Sequence, residues 1–398
     1  MEHLECIFCQ KKYPLNLFNP FCPECREPML VSYPLKKRKF YHEKSGLEKY
    51  LDFLPLNKIN QGLSLMEGDT PLLRLNQLGK KLNLSHIFAK NETSNPTHSF
   101  KDRGSTVAIQ KAVSMGIDRV GTVSTGNMAA STAAFGARSG LKTYVLLKED
   151  ISPEKILSTA MYNPLLIKVK GYYGQLFLQS YSLGQKFGIY FMNSVDPFRI
   201  EGYKVIGFEI FHQLNKQVPQ YIFVPLGSGG HLIGLMRTFQ DLKREGFIRS
   251  YPTFVGVQPL GCSPLAQAYA RKKSKYKRIF KTETIVHAIS NPDPPGGNIV
   301  LKLMRENKGM IIAVSDREIL ISQKMLAEEE GILCQPASAT TLAGLLKLSK
   351  KMKFKTKDKI VLVITGSGLK AMKALESFKL DVHQASLSSL EKTVNSLI

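Results

Sequence analysis

Three groups of residues in this chain have types and spacings that can do chemistry. CIFC at 6–9 and CPEC at 22–25 are C-x-x-C knuckles with twelve residues between them. Two such hairpins bring four thiolates to the corners of a tetrahedron, so Cys6, Cys9, Cys22 and Cys25 are expected to hold a structural zinc. The gap is shorter than the commonest zinc-ribbon spacing, which leaves iron in a rubredoxin-like site, or four free thiols, as the other readings. No open ligand position is visible, so the metal would be a staple and not a catalyst. The second group is GSGG at 227–230. Successive N–H groups at Gly227, Ser228, Gly229 and Gly230 can converge on an anion, and a helix starting near His231 adds its positive end. The spacing matches neither G-x-x-x-x-G-K-[ST] nor G-x-G-x-x-G, which disfavours nucleoside triphosphates and dinucleotides. A ligand-free strand-to-helix turn would read the same way. The third is Lys101, in the polar loop NETSNPTHSFKDRG (91–104) ahead of a helical pattern.

Elements that could position these groups follow a βαβ rhythm. Apolar runs at 119–125, 143–147, 189–194, 221–226, 253–258 and 359–365 are continuous, as strands buried on both faces require. Helix-like stretches such as KDRGSTVAIQKAVSMG and NMAASTAAFGARSG lie between them, which predicts parallel sheets covered by helices. STGN, GSGG and TGSG each follow one of these strands, the place where open α/β sheets bind ligands. The Pro/Gly cluster SNPDPPGGN (290–298) marks a long functional or surface loop.

Composition narrows the class. At 398 residues the chain suits two to three domains at ~150 residues each. No apolar run approaches the ~20 residues that span a bilayer, and MEHLECIFCQ is not a secretory leader, so no membrane partner is expected. Six cysteines in a chain of this size suit a reducing, cytoplasmic setting. The formal net charge of +23 suits anionic small substrates; the basic runs at 271–281 and 350–359 carry no nucleic-acid recognition motif and read as solvated surface.

N-P-T-x-S-F-K-D-R-G resembles the cofactor-lysine motif of fold-type II pyridoxal-phosphate enzymes, and most of all their threonine synthase branch. EGDTPLLRL (67–75), STGN (124–127), NSVDPFRIEGYK (193–204), QPASATTLAGL (335–345) and TGSGLK (365–370) agree in order, and the cysteine knuckles resemble the archaeal-type members. The resemblance covers residues 4 to 375. It implies a fold-type II α/β enzyme with two parallel-sheet domains and a small N-terminal metal ribbon. The expected divisions are a ribbon at 1–40, a large cofactor domain from 41–105 and 205–380, a smaller mobile domain at 106–204, and a helical tail at 381–398. Leu387, Leu390, Val394 and Leu397 give the tail a helical stripe for docking or a dimer contact. The resemblance further implies a homodimer.

Residue roles come with the same resemblance. Lys101 would carry pyridoxal phosphate and shuttle protons, Asn127 would bond the cofactor's 3′-hydroxyl, and Thr365 would face its ring nitrogen. Gly227, Ser228, Gly229, Gly230 and His231 would hold the cofactor phosphate. Asn193, Ser194, Arg199 and Lys204 would bind the substrate's own phosphate, and Ser99 and Thr125 its carboxylate. The implied reaction takes O-phospho-L-homoserine and water to L-threonine and phosphate. The alternatives are β-replacement on O-phosphoserine and a threonine dehydratase-like deamination. Outside enzymes, a ribbon-bearing binding protein that keeps the fold without the chemistry is a further reading, against which Lys101, Asn127 and Thr365 stand together. The chain departs from the family pattern at His98, Asp196, Tyr203, Ser228, His231 and Gln335. Asp196 matters most, since a carboxylate at a phosphate subsite repels a dianion unless it points away.

Overall fold

The computed structural model describes residues 2–33, 38–149, 156–376, 378 and 382–397. Strands β1 (His3–Glu5), β2 (Lys12–Tyr13) and β3 (Leu30–Ser32) form an antiparallel sheet in the order β2-β1-β3; the first cysteine knuckle is the β1–β2 turn, and the second lies in the β2–β3 connection inside a bridge between Phe21 and Pro28. Both knuckles close alike: the Gln10 amide donates to Cys6 O and the Arg26 amide to Cys22 O, each at 2.8 Å. Gln10 and Arg26 also share a left-handed φ, near 59° and 57°.

After the ribbon, β4 (Leu72–Arg74), α1 (Asn76–Leu82) and β5 (Ile87–Asn91) begin a second sheet. The chain then leaves it along α2 (Lys101–Ser114) to build a third from β6 (Arg119–Val123), β7 (Lys142–Lys148), β8 (Leu165–Val169) and β9 (Tyr190–Phe191). Helices α3 (Asn127–Arg138), α4 (Leu157–Ala160) and α5 (Tyr173–Phe187) connect those strands. Their order is β8-β7-β6-β9 and all pairings are parallel. Helix α6 (Pro197–Gln213) returns to the second sheet, which continues through β10 (Tyr221–Pro225), α7 (Gly230–Arg244), β11 (Thr253–Pro259), α8 (Pro264–Ala270), α9 (Gly297–Glu306), β12 (Met310–Val314), α10 (Asp316–Glu330), α11 (Pro336–Ser349) and β13 (Ile360–Ile364). The completed order is β12-β11-β10-β13-β5-β4, with only β4 antiparallel among the described strands.

This is the two-sheet parallel α/β architecture expected from the apolar runs. Ile360 to Ile364 are all buried, as a central strand between helical layers must be. The expected domain edges at 105/106 and 204/205 fall inside α2 and α6, each a continuous helix. Helix α6 is buried from Pro197 to Phe211 because α2 covers one side and α7 another. Near the C-terminus the structure forms α12 (Met372–Leu375) and α13 (Leu390–Asn395). The leucine stripe of the tail is exposed on the single chain, with Leu387 96% accessible, so it is not docked here.

Candidate active site

Lys101 is the first residue of α2, directly after β5 and its polar loop. That loop is held against the turn after β13: the Phe100 amide donates to Thr365 O at 3.0 Å, the Ser367 amide to His98 O at 3.1 Å, and Lys370 Nζ to Thr97 O at 2.7 Å. The SFK and TGSGLK segments, 264 residues apart between Lys101 and Thr365 in sequence, therefore form one wall. Although Lys101 keeps partial exposure as a residue, its amine is desolvated. Desolvation first, and the nearby Arg199 charge second, bring its pKa down to about 7. Lys101 Nζ lies 4.4 Å from the Phe100 ring centre and 5.7 Å from that of Tyr203.

Thr365 Oγ1 lies 3.1 Å from Ser338 Oγ, and Ser338 Oγ accepts from the Gly366 amide at 3.0 Å. Asn127 opens α3 in the smaller sheet domain, and its amide donates to Gln335 Oε1 of the large domain at 3.3 Å. The site therefore lies where the two domains meet. Ser338 was missed by sequence reasoning. It lies inside the quoted QPASATTLAGL stretch, two residues after the proline that opens α11, and its hydroxyl faces the turn after β13.

The glycine turn has a backbone that leaves room for an anion. Gly229 has φ near 100°, and α7, fifteen residues long, starts at Gly230. A Cβ at Gly230 would stand 2.3 Å from Ser194 O, so Ser194 is the back of the cradle. Asn291 Nδ2 donates to Ser228 Oγ at 2.8 Å and the Gly296 amide to Ser228 O at 3.0 Å, which gives the Pro/Gly-rich 290–298 loop a definite task. Thr125 and Ser99 stand on the two domain edges. Thr125 is partly exposed beside Asn127, whereas Ser99 Oγ is buried without a partner.

Arg199 is fully buried in the first turns of α6. It donates from Nε to Met192 O at 2.7 Å and from Nη2 to Thr132 Oγ1 at 2.5 Å, while Nη1 makes no protein hydrogen bond. His231 stacks on Phe100 with ring centres 4.1 Å apart, and both its ring nitrogens are buried without partners. Burial, then the Lys101 and Arg103 charges, push its pKa well down, so the imidazole is neutral. The Asp196 carboxylate points away from this cluster. It caps α6 by accepting from the Arg199 amide at 2.8 Å and takes the Tyr190 hydroxyl at 2.6 Å.

Two expected site residues are corrected by the structure. Lys204 is buried on the opposite side of α6, where Nζ donates to Phe53 O at 2.8 Å and Glu201 Oε2 at 2.9 Å, and also pairs with Asp241. Five residues on from Arg199 is ~140° around the helix, so the two cannot share a face. Asn193 is also buried and internal: its Oδ1 accepts from the Val123 amide at 2.8 Å and its Nδ2 donates to Ser180 Oγ at 3.0 Å. That side chain joins β6 to α5.

In the ribbon, the sulfur atoms of Cys6, Cys9, Cys22 and Cys25 all lie within 4.8 Å of one another, and Cys9 Sγ is 3.7 Å from Cys22 Sγ. A tetrahedral site with ~2.3 Å metal–sulfur bonds has sulfur atoms ~3.8 Å apart, so this donor set fits a thiolate-bound metal. The other site fits pyridoxal phosphate on equally structural grounds. It has a desolvated lysine, a glycine cradle at a helix start, a hydroxyl pair on the wall that the lysine loop shares, and buried polar atoms of Ser99, Arg199 and His231 with no protein partner among the described residues.

The pyridoxal-phosphate dependent enzyme family matches residues 63–366 of this chain. Threonine synthase of Methanocaldococcus jannaschii is 38% identical over 374 residues, covering 92% of each chain. The Methanosarcina acetivorans threonine synthase is 34% identical over 93% of this chain and 92% of its own. Among solved structures, the processed threonine deaminase isoform 2 of Solanum lycopersicum superposes with a TM-score of 0.65 at 19% identity, covering 82% of each chain. Maize serine racemase gives 0.63 at 18%, over 82% of this chain and 92% of its own. Likeness at that identity speaks to the fold, while the sequence matches speak to the branch. The chain belongs to the pyridoxal-phosphate dependent enzyme family, within its threonine synthase branch.

Proposed function

We propose that this enzyme converts O-phospho-L-homoserine and water to L-threonine and phosphate, with Lys101 as the proton-carrying amine. The carrying observation is the near-neutral Lys101 amine beside a fully buried guanidinium that has one N–H edge unused. Pyridoxal phosphate, when bound, supplies a carbonyl for amino groups and a ring that withdraws electrons from the adjacent carbons. The chain's own groups do the rest. The N–H groups from Gly227 to Gly230 and the α7 dipole would hold the cofactor phosphate. Asn127 would fix its hydroxyl edge. The Thr365–Ser338 pair offers the ring nitrogen a neutral partner, which keeps the electron sink mild.

The free Nη1 of Arg199 is suited to the substrate phosphate, since a guanidinium offers a planar fork of donors to phosphate oxygens. Ser99 and Thr125 are suited to the substrate carboxylate. Lys101, neutral about half the time near pH 7, can take a proton from Cα and carry protons among Cα, Cβ and Cγ. The Cγ–O bond to phosphate breaks, water oxygen bonds to Cβ, and Cγ ends as a methyl group. Closure of the smaller domain would keep water from intervening early. The ribbon metal in this reading is zinc, supported by four convergent thiols and no other ligand type. Six free cysteines support a reducing, cytoplasmic setting, and the exposed leucine stripe of the tail supports a homodimer contact.

A paired product assay tests this directly. Cofactor-reconstituted protein given O-phospho-L-homoserine should yield threonine and phosphate in equal amounts, and Lys101→Ala should yield neither. Phosphate without threonine, or 2-oxobutyrate in place of threonine, would overturn the assignment.

A further inference from the structure

The ribbon does not stand apart from the catalytic domains. Phe21, the neighbour of Cys22, projects from it against α5 of the smaller domain. Its ring centre lies 5.3 Å from Tyr181 and 6.5 Å from Phe177, edge-on to both. Phe21 is thereby packed against the smaller domain's own apolar cluster, which includes Val123, Phe177, Tyr181 and Phe191. On the same knuckle, Glu27 accepts from Asn298 Nδ2 at 2.6 Å, and Asn298 lies in the first turn of α9, two residues after the Gly296 that braces Ser228. The other side of the ribbon is fixed to the large domain, where Arg237 donates to Val31 O at 2.7 Å and Tyr33 to Glu201 at 2.7 Å.

A route leads from Phe21 toward the site. Phe177, Ser180 and Tyr181 occupy one face of α5, at the three- and four-residue spacing of helical neighbours. Ser180 Oγ accepts from Asn193, and Asn193 accepts from the Val123 amide at the end of β6. The next residues are Ser124, Thr125, Gly126 and Asn127. A second hold on the helix comes from the basic segment of the large domain, where the Arg278 guanidinium lies 3.9 Å over the Tyr172 ring just before α5.

We infer that Phe21 is a positioning residue for the 124–127 loop, acting from the metal-bearing knuckle through α5, Ser180 and Asn193. The inference rests on the proposed function for its kinetic part only. A ribbon that merely stabilised the large domain would need Val31, Tyr33 and Arg237, not a phenyl ring set into the smaller one. The metal's task, in this view, is to keep the Cys22–Glu27 turn rigid enough for Phe21 to hold α5 in place.

The experiment compares zinc-loaded wild type, Phe21→Ala, Phe21→Tyr, Arg278→Ala and Ser180→Ala by amide hydrogen exchange and by kcat and KM. Phe21→Ala should keep its zinc content yet exchange faster in α5 and in 123–127, with KM raised several-fold more than kcat falls. Phe21→Tyr should restore both, and Arg278→Ala should loosen the start of α5 more weakly. Ser180→Ala should loosen 123–127 while leaving Phe21 seated. Removal of zinc from wild type with a chelator should reproduce the Phe21→Ala exchange pattern, which keeps the question open to test should that variant lose its ribbon. Unchanged exchange in α5 and 123–127 in zinc-loaded Phe21→Ala, or chelation effects confined to 2–33, would overturn the inference. Failure of wild type to make threonine would instead overturn the proposed function, since the exchange measurements need no turnover.

Discussion

Two clusters of buried polar side chains lie on opposite sides of the first turn of α2, and they are built by contrary rules. Around Arg103 everything is paired. Arg103 donates to Glu92 at 2.6 and 2.7 Å and to Glu209 at 2.5 and 2.7 Å, and Lys90 donates to Glu209 at 2.6 Å and Thr70 O at 2.6 Å. Around Lys101, two residues earlier, Ser99 Oγ, Arg199 Nη1, the Tyr203 hydroxyl and both His231 nitrogens are buried without a well-formed hydrogen bond among the described residues, although Arg199 and Tyr203 lie close to each other. Folding alone cannot favour the second arrangement, because each unpaired buried polar group costs ~1–3 kcal/mol. A satisfied buried cluster is scaffold, and an unsatisfied one beside it is a site prepared for something else.

Substitutions should separate the two clusters. The largest effect is expected at Lys101: Lys101→Ala should lower threonine formation on the order of 10⁴-fold or more, from lost proton transfer and lost cofactor attachment together, while thermal unfolding barely moves. Arg103→Ala should do the reverse first, costing about 3–5 kcal/mol of stability in denaturant titration by leaving Glu92 and Glu209 uncompensated. Burial alone would raise the Glu209 carboxyl, but Arg103 and Lys90 outweigh it and hold it at about 2. That share of stability is present above the ordinary carboxylate range and is lost as pH falls toward 2.

Arg199→Lys keeps the charge but not the fork, and should raise KM for the phosphorylated substrate by roughly tenfold or more, with a smaller change in kcat. Cofactor uptake by the stripped protein should depend on pH through Lys101. Its pKa is lowered to about 7, so the reactive neutral amine is lost below that value, and uptake should drop roughly tenfold per pH unit there. In Arg199→Ala the repelling charge is gone, so the midpoint should move upward. The smallest effect on stability is expected at His231. His231→Leu removes two orphaned nitrogens, so stability should stay level or rise by about 1 kcal/mol, while substrate affinity falls. A large loss of stability there would mean that the imidazole belongs to the scaffold after all.

The contrast also explains which parts of the molecule were readable from the chain. Strand runs such as KIVLVIT are legible because burial on both faces leaves a continuous apolar signature. The cysteine knuckles and the GSGG turn are legible because their geometry is local. Lys204 and Asn193 misled for the opposite reason. Both lie in a motif that meets the site, but a motif gives residue order and not the direction of a side chain. Tyr203, four residues from Arg199 and on its face, comes near Lys101, while Lys204 turns toward Tyr33 and Asp241. The Arg103 network draws Thr70, Lys90, Glu92 and Glu209 from three separate segments, and no single-sequence pattern links them. Ser338 escaped notice because its partner, Thr365, lies beyond a whole helix and strand.

Helices α2 and α6 meet at Gly202, where a Cβ would stand 2.1 Å from Arg103 O. No side chain separates the two backbones at that crossing. The spacing of the helix backbones that carry Lys101 and Arg199 is therefore set by main-chain contact. A methyl group left out of one helix is thus a spacer for the other: it lets the Arg199 charge come up to an amine that burial has already made easier to deprotonate.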